Sequence, residues 1–317
     1  MGRVLVTRRL PDGGLDPLRA AGHELVERDD DVPFTPTDLA AAVRDVDAIV
    51  CLLTDRIDAA VLQAGADGGR LRVVANVAVG YDNIDVTTAG ALGISVCNTP
   101  GVLDDTTADL AFLLILAAAR RAHEAEDDLR GGRWSGWGIN QYLGHDVHGA
   151  VLGLVGYGRI GQAVARRASG FGMQVLHHTR RDTGVAGWVG DLDRLLAEAD
   201  VVSLHVPLSD SSRHLIGAAE LGRMKPTAVL VNTARGPVVD EEALAIALEE
   251  GTIFAAGLDV FEHEPTVHPR LLAAPRTVLL PHIGSASVGT RTRMAQMAST
   301  AVVSVLAGER PPNLVTA

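Results

Sequence analysis

The sequence has few aromatic side chains, one lysine and two cysteines, and each shortage narrows what the chain can be. With three tryptophans, three tyrosines and five phenylalanines in 317 residues, its cores must be built from Val, Leu and Ala. Lys225 is the only lysine, so nearly all positive charge is guanidinium. The formal net charge is −11, which argues against nucleic acid as a partner because phosphate backbones need a basic surface. Small anions stay open, since they need only local positive charge. Cys51 and Cys97 lack metal-type spacing, suggest no disulfide framework and sit beside apolar runs, so both read as buried thiols and no metal site is expected. Long hydrophobic runs are missing too. The longest, Leu110 to Ala119, is too short to span a bilayer. The chain opens on a strand-like Arg3-Val4-Leu5-Val6 rather than a signal sequence. No membrane partner is expected, and a cytoplasmic location is.

A chain of this length exceeds what one hydrophobic core usually organises, so two domains are expected. Short β-branched runs alternate with helical stretches. In the first third, strands are expected at Val4–Val6, Glu24–Val26, Ala48–Leu52, Val73–Val77 and Ile94–Val96, with a helix at Thr37–Val43. A second series runs through Val151–Val155, Gln174–Leu176, Val201–Val206, Ala228–Asn232, Ala255–Val260 and Val278–Leu280. This alternation reads as α/β, with parallel sheets covered by helices on both faces. Between the series, a helix capped near Asp104–Thr106 and running to about Ala122 is apolar on every face from Leu110 to Ala119, and is expected to be buried all round, between domains or between subunits. Gly131 to Gly149, with Trp134 and Trp137, reads either as an exposed arm or dimer contact, or as a surface loop with packed tryptophans. From about Ser285 one more helix is expected, whose Met294, Met297, Val302 and Val303 would pack on the first domain.

Gly156-Tyr157-Gly158-Arg159-Ile160-Gly161 is a G-x-G-x-x-G placed directly after the strand Val151–Val155. It opens a helix whose Ile160, Val164, Ala168 and Phe171 have helical spacing. In that context the glycines let the backbone approach a pyrophosphate at a positive helix N-terminus. Arg159 and Ile160 belong to the same cofactor-binding set. The next strand should end in Asp or Glu if the adenosine ribose is unphosphorylated. Here it ends His177-His178-Thr179-Arg180-Arg181. A hydroxyl followed by two guanidiniums suits a 2′-phosphate, so NADP(H) is favoured and NAD(H) stays possible.

Three further strand ends carry chemistry: Asn232-Thr233-Ala234-Arg235-Gly236, Leu258 to Pro265, and Pro281-His282-Ile283-Gly284-Ser285. Strand ends on one edge of a doubly wound sheet gather at the ligand crevice, where Arg235, Glu264 and His282 can meet. An arginine holds a carboxylate and polarises an adjacent carbonyl. A histidine supplies a proton to the oxygen as hydride reaches carbon, and a neighbouring carboxylate orients the ring and favours its charged form. Singly, each residue is as readily an ordinary ion-pair or core partner; with the glycine motif they form a catalytic set.

These segments, with Val79-Gly80-Tyr81-Asp82-Asn83-Ile84-Asp85, Asn98-Thr99-Pro100-Gly101, Thr107-Ala108-Asp109 and His205-Val206-Pro207-Leu208, occur in an order that covers nearly the whole chain. Taken together they resemble the D-isomer-specific 2-hydroxyacid dehydrogenases, most of all the glyoxylate/hydroxypyruvate reductases. The resemblance implies a Rossmann cofactor domain, residues 99–284, inserted into a flavodoxin-like substrate-binding domain, residues 1–98 plus 285–317. It implies Arg235, Glu264 and His282 as catalytic residues. Val79 and Gly80 would bind the substrate carboxylate through their backbone, with Leu53, Arg235 and His282 also at the substrate. Thr107, Thr233 and Asp259 would line the nicotinamide end and Pro207 the adenine side; Val206, Ala234 and Gly284 complete the cofactor set. A homodimer and a small 2-oxo or 2-hydroxy acid substrate are implied as well. The missing ribose-binding acid departs from the NAD-dependent pattern. Two other readings stand beside this one: a dehydrogenase of another small D-2-hydroxy acid, and a non-catalytic dinucleotide-sensing binding protein.

Overall fold

A computed structural model describes residues 1–28 and 30–315. The chain forms two compact units, one made of Met1–Leu103 and the segment from Ser285 onward, the other of Asp104–Gly284. Each is an α/β layer structure around a wholly parallel sheet.

In the first unit the strands are β1 (Arg3–Val6), β2 (Glu24–Glu27), β3 (Ala48–Cys51), β4 (Val73–Asn76) and β5 (Ser95–Cys97), in spatial order β2-β1-β3-β4-β5. Every residue of β3 and β4 is buried, as expected where helices cover both faces and strands read as unbroken apolar runs. Capping fixes the helices between them: Thr35 accepts from the Asp38 amide ahead of Pro36–Ala42, and Asp58 from Ala60 and Val61 ahead of Ala59–Asp67. The late helix forms at Val288–Leu306, capped by Ser287. It buries Met294 and Val302 within this unit, packing on β3, β4 and the short helix Asp16–Ala20. The chain then returns along the outer edge of β5. Leu314 bridges Cys97 in antiparallel sense, and the Val315 amide donates to the Val96 carbonyl at 2.7 Å.

The second unit contains β6 (Val151–Val155), β7 (Gln174–His178), β8 (Val201–Leu204), β9 (Val229–Asn232), β10 (Ala255–Leu258) and β11 (Thr277–Leu279), ordered β11-β10-β9-β8-β6-β7. Outside β7, Trp188 makes a single parallel bridge to His177. Counting that rung as a remnant strand restores the dinucleotide-fold order, in which the third strand lies outside the second. The order reverses at β6, so the carboxyl ends of β6 and β8 flank a topological switch point.

All the expected strands form, with ends shifted by one or two residues. The central helix differs from expectation at its end. It spans Asp104–Ala119 and stops there; Arg121 is left-handed at φ 52°, and a second helix, Ala122–Arg130, begins beyond it. The single chain leaves one face of it uncovered, so burial between subunits stays open. Leu113 is 53% exposed and Asp109 and Arg120 lie on the same open face. Trp134 and Trp137 are exposed, so the stretch after Arg130 is an open arm rather than a packed loop. Both cysteines are buried. Among the described residues no helix is long and apolar enough to cross a membrane, and no group of His, Cys, Asp and Glu has a metal-holding arrangement.

Candidate active site

The glycine turn between β6 and helix Arg159–Gly170 divides its glycines by task. Gly156 is left-handed at φ 97°, and a Cβ there would stand 2.5 Å from the His205 carbonyl oxygen and 3.0 Å from Val206. A Cβ on Gly161 would collide with the Gly156 carbonyl. These two are demanded by the protein's own packing of turn, helix and the end of β8. Gly158 is different: nothing lies within 4 Å of where its Cβ would be. It is the N-cap of the helix, and no side chain caps it. The first helical amides, at Arg159 and Ile160, therefore face an open approach, the arrangement that receives a phosphate.

At the end of β7 the guanidiniums of Arg180 and Arg181 are exposed and have no ion-pair or hydrogen-bond partner among the described residues. Thr179 is otherwise engaged. Its hydroxyl donates to the Arg181 carbonyl at 2.6 Å and accepts from the Trp188 indole at 3.2 Å. Its contribution is thus to shape the turn that presents the two arginines. His177 and His178 tie the remnant strand to β7, through Thr183 at 2.8 Å and the Val189 carbonyl at 2.9 Å. His177 also stacks on Tyr157 of the glycine turn, with ring centroids 3.9 Å apart.

The three catalytic candidates lie on adjoining strand ends of β9, β10 and β11. His282 Nδ1 is 2.8 Å from Glu264 Oε2, and the other Glu264 oxygen accepts the Phe261 amide at 3.0 Å. Burial pushes the Glu264 carboxyl up, but the His282 hydrogen bond and charge, the Phe261 amide and the Arg235 charge outweigh it and hold the group below its ordinary value. Arg235 is placed by its own loop: buried Asn232 donates to the Arg235 carbonyl at 2.9 Å and accepts from the Ala234 amide at 3.0 Å. Gly236 then packs directly on the Phe261–Glu262 backbone, leaving no room for a Cβ. That contact brings the arginine loop against the glutamate loop.

His282 is itself left-handed at φ 54°, a conformation that costs a non-glycine residue on the order of 1 kcal/mol or more and persists only where the surroundings impose it. Asp259 imposes it here. Its two oxygens accept the Ile283 and Gly284 amides, each at 2.7 Å, and clamp the turn carrying the imidazole. Burial raises the Asp259 carboxyl above its ordinary value against those two amides and the nearby His282 charge. Thr107 packs beside Gly284, and the Thr233 hydroxyl is buried with no hydrogen-bond partner among the described residues. A buried, unsatisfied hydroxyl beside this cluster fits a bound polar ligand.

In the first unit, Leu53 lies half-buried in the loop after β3, and Val79 and Gly80 in the loop after β4. Asn83 joins the two loops, donating to the Leu52 and Asp55 carbonyls at 3.1 and 2.9 Å. Asp55 in turn holds the Leu52 amide at 2.9 Å and forms a buried ion pair with Arg8 at 2.8 Å.

Residues 112–284 match the model of the D-isomer specific 2-hydroxyacid dehydrogenase NAD-binding domain. A glyoxylate reductase of Korarchaeum cryptofilum is 50% identical across 99% of this chain and 95% of its own. The chain belongs to the D-isomer specific 2-hydroxyacid dehydrogenases. A solved protein of Thermus thermophilus superposes on this dehydrogenase with a TM-score of 0.93 at 45% identity, covering 99% of this chain and all of that one. An NADPH-dependent glyoxylate/hydroxypyruvate reductase of Sinorhizobium meliloti, solved with NADP and malonate, gives 0.86 at 36% identity, covering 99% and 96%. In this dehydrogenase the sequence pattern singles out the catalytic candidates but passes over Asn232, Asn83 and Asp55, which act on backbone geometry. The available signal is slight: Asn232 and Asn76 are polar residues closing the otherwise apolar strands Val-Leu-Val-Asn and Val-Val-Ala-Asn.

Proposed function

We propose that the protein reduces a small 2-oxo acid, glyoxylate or hydroxypyruvate, to the 2-hydroxy acid, using NADPH in preference to NADH. The observation that carries this reading is the Glu264–His282 pair, with Arg235 on the adjoining loop, at the strand ends of a sheet whose glycine turn leaves a helix N-terminus open. The cofactor, when bound, supplies the hydride. Gly158, Arg159 and Ile160 would hold its pyrophosphate, Val206 and Pro207 its adenine side, and Thr107, Thr233, Ala234, Asp259 and Gly284 its nicotinamide end. The unpaired Arg180 and Arg181 would take a 2′-phosphate, a reading that gains weight from the NADPH-dependent Sinorhizobium meliloti relative.

The chain's own groups do the rest. The Arg235 guanidinium grips the substrate carboxylate and polarises the neighbouring carbonyl. The amides of Val79 and Gly80 bind the same carboxylate, and Leu53 gives an apolar wall. With Nδ1 held by Glu264, the imidazolium of His282 turns Nε2–H to the carbonyl oxygen and delivers the proton there as carbon gains hydride. Glu264 stays ionised and stabilises the charged ring. The residues of Met1–Leu103 act as the substrate-binding part and Asp104–Gly284 as the cofactor-binding part, in a homodimer.

The test is to follow NADPH and NADH oxidation separately with glyoxylate, hydroxypyruvate, pyruvate and a bulkier 2-oxo acid. The first two should be fastest, and NADPH should exceed NADH in kcat/KM by tenfold or more. Faster turnover with NADH would overturn the role of Arg180 and Arg181. Preference for the bulkier acid would move the substrate assignment, and cofactor binding without turnover would favour a sensing protein.

A further inference from the structure

The loop Val77–Asn83 has three successive carbonyls, each tied down by a hydrogen bond. The Thr99 amide donates to the Ala78 oxygen at 2.9 Å, the Asn98 carboxamide to the Val79 oxygen at 2.7 Å, and the Asn76 carboxamide to the Gly80 oxygen at 2.8 Å. A trans peptide is planar, with N–H opposed to C=O. Fixing those carbonyls therefore turns each next amide, of Val79, Gly80 and Tyr81, to the opposite side of its peptide. None of the three donates to an acceptor among the described residues. Consecutive outward amides form a concave anion receptor. What sets its shape is the ring of side chains behind it.

Asn76 is fully buried and fully committed: besides Gly80, its amide nitrogen reaches Asn83 Oδ1 at 3.1 Å, and its oxygen takes the Cys51 thiol. Asn98 is held by the far end of the chain. Its amide donates to the Asn313 carbonyl at 3.3 Å, and its carbonyl accepts from the Asn313 carboxamide at 2.6 Å. Asn313 is buried, and the residues after it pair with β5. We infer that Asn76 and Asn98 are positioning residues that set the carboxylate-binding amides, and that the C-terminal segment at Asn313 holds Asn98 for that purpose. This rests on the reading that the Val79 and Gly80 amides bind the substrate carboxylate.

The experiment compares kcat/KM for glyoxylate with that for glycolaldehyde, which has an aldehyde of similar size and no carboxylate. The ratio measures carboxylate recognition and does not change when a fraction of the protein merely unfolds. Wild type should favour glyoxylate strongly. Asn98→Ala should lower the ratio by roughly tenfold or more, in line with a charge-assisted hydrogen bond being misaimed. The loss should appear in KM for glyoxylate, with kcat for glycolaldehyde and the cofactor Kd unchanged, and Asn313→Ala should lower the ratio less. If Asn98→Ala fails to fold, Asn98→Asp keeps the shape without the donor. Its ratio relative to wild type should be depressed at neutral pH and recover as acid protonates the carboxyl and restores a donor. A wild-type ratio near one would overturn the carboxylate reading and this inference with it. A high wild-type ratio that survives intact in Asn98→Ala, or in Asn98→Asp at neutral pH, would overturn the inference alone.

Discussion

Glu264 divides its oxygens between the His282 ring and the Phe261 amide, and so couples the imidazole to the loop that also abuts Arg235. Because its carboxyl is held below the ordinary value, the stability this group adds is fully present above the usual glutamate range. It is lost as pH falls through the lowered value. Replacing His282 by Gln preserves a hydrogen-bond donor to Glu264 but removes the transferable proton. His282→Gln should therefore reduce kcat by about 10²–10⁴-fold with cofactor Kd unchanged, measured by stopped-flow turnover and nicotinamide fluorescence. A kcat within a few-fold of wild type would remove His282 from the proton transfer. At this scale the sequence points to groups whose chemistry is intrinsic to the side chain, such as Arg235, Glu264 and His282, and the structure pairs the last two. The sequence conceals Asn76, Asn98 and Asn232, whose work is to aim a peptide group. Nothing in an asparagine's identity says which carbonyl it will meet. The sequence is equally silent on the turn that Thr179 closes, through its hydrogen bond to the Arg181 carbonyl.

At the level of elements, strands were legible because parallel strands buried on both faces must be apolar throughout. The same property hid which face of Asp104–Ala119 the single chain leaves uncovered. A helix apolar on every side carries no periodicity to mark its open face, and Leu113 proves to lie on it. The break after Ala119 was hidden for another reason. No Gly or Pro stands there; the left-handed Arg121 is tied to Glu124 at 2.7 Å, an interaction that composition does not signal. Leu113, Leu129, Trp134, Trp137, Ile139 and Leu143 are all exposed in the second unit. The proposed homodimer would cover such side chains, since exposed apolar patches mark association sites. The expected partner is a second copy, since most soluble oligomers are symmetric homo-oligomers. Sedimentation at micromolar concentration should give a dimer, and Leu113→Glu combined with Trp137→Glu should weaken it by about a hundredfold or more. A monomeric wild type, or an undiminished dimer in the double variant, would refute that assignment.

Over the whole molecule, the sequence disclosed two parallel-sheet units and the strand that carries the glycine turn. It did not disclose that the β7 side of the second sheet ends in the single rung of Trp188, because one bridging residue has no run to recognise. Nor did it disclose that the end of the chain returns to pair with β5 and reach Asn98. Both features lie beside loops assigned here to ligand binding, the first holding the turn with Arg180 and Arg181, the second the loop with Val79 and Gly80. The proposed reductase delivers hydride to the carbonyl carbon of a small 2-oxo acid and leaves a D centre where the product is chiral. Its most direct test is to reduce hydroxypyruvate with NADPH deuterated at C4 of the nicotinamide, on the face that is transferred, and analyse the glycerate by mass spectrometry and chiral chromatography. One deuterium at C2 and the D isomer alone are expected. Glycerate without deuterium, or of L configuration, would contradict that proposal.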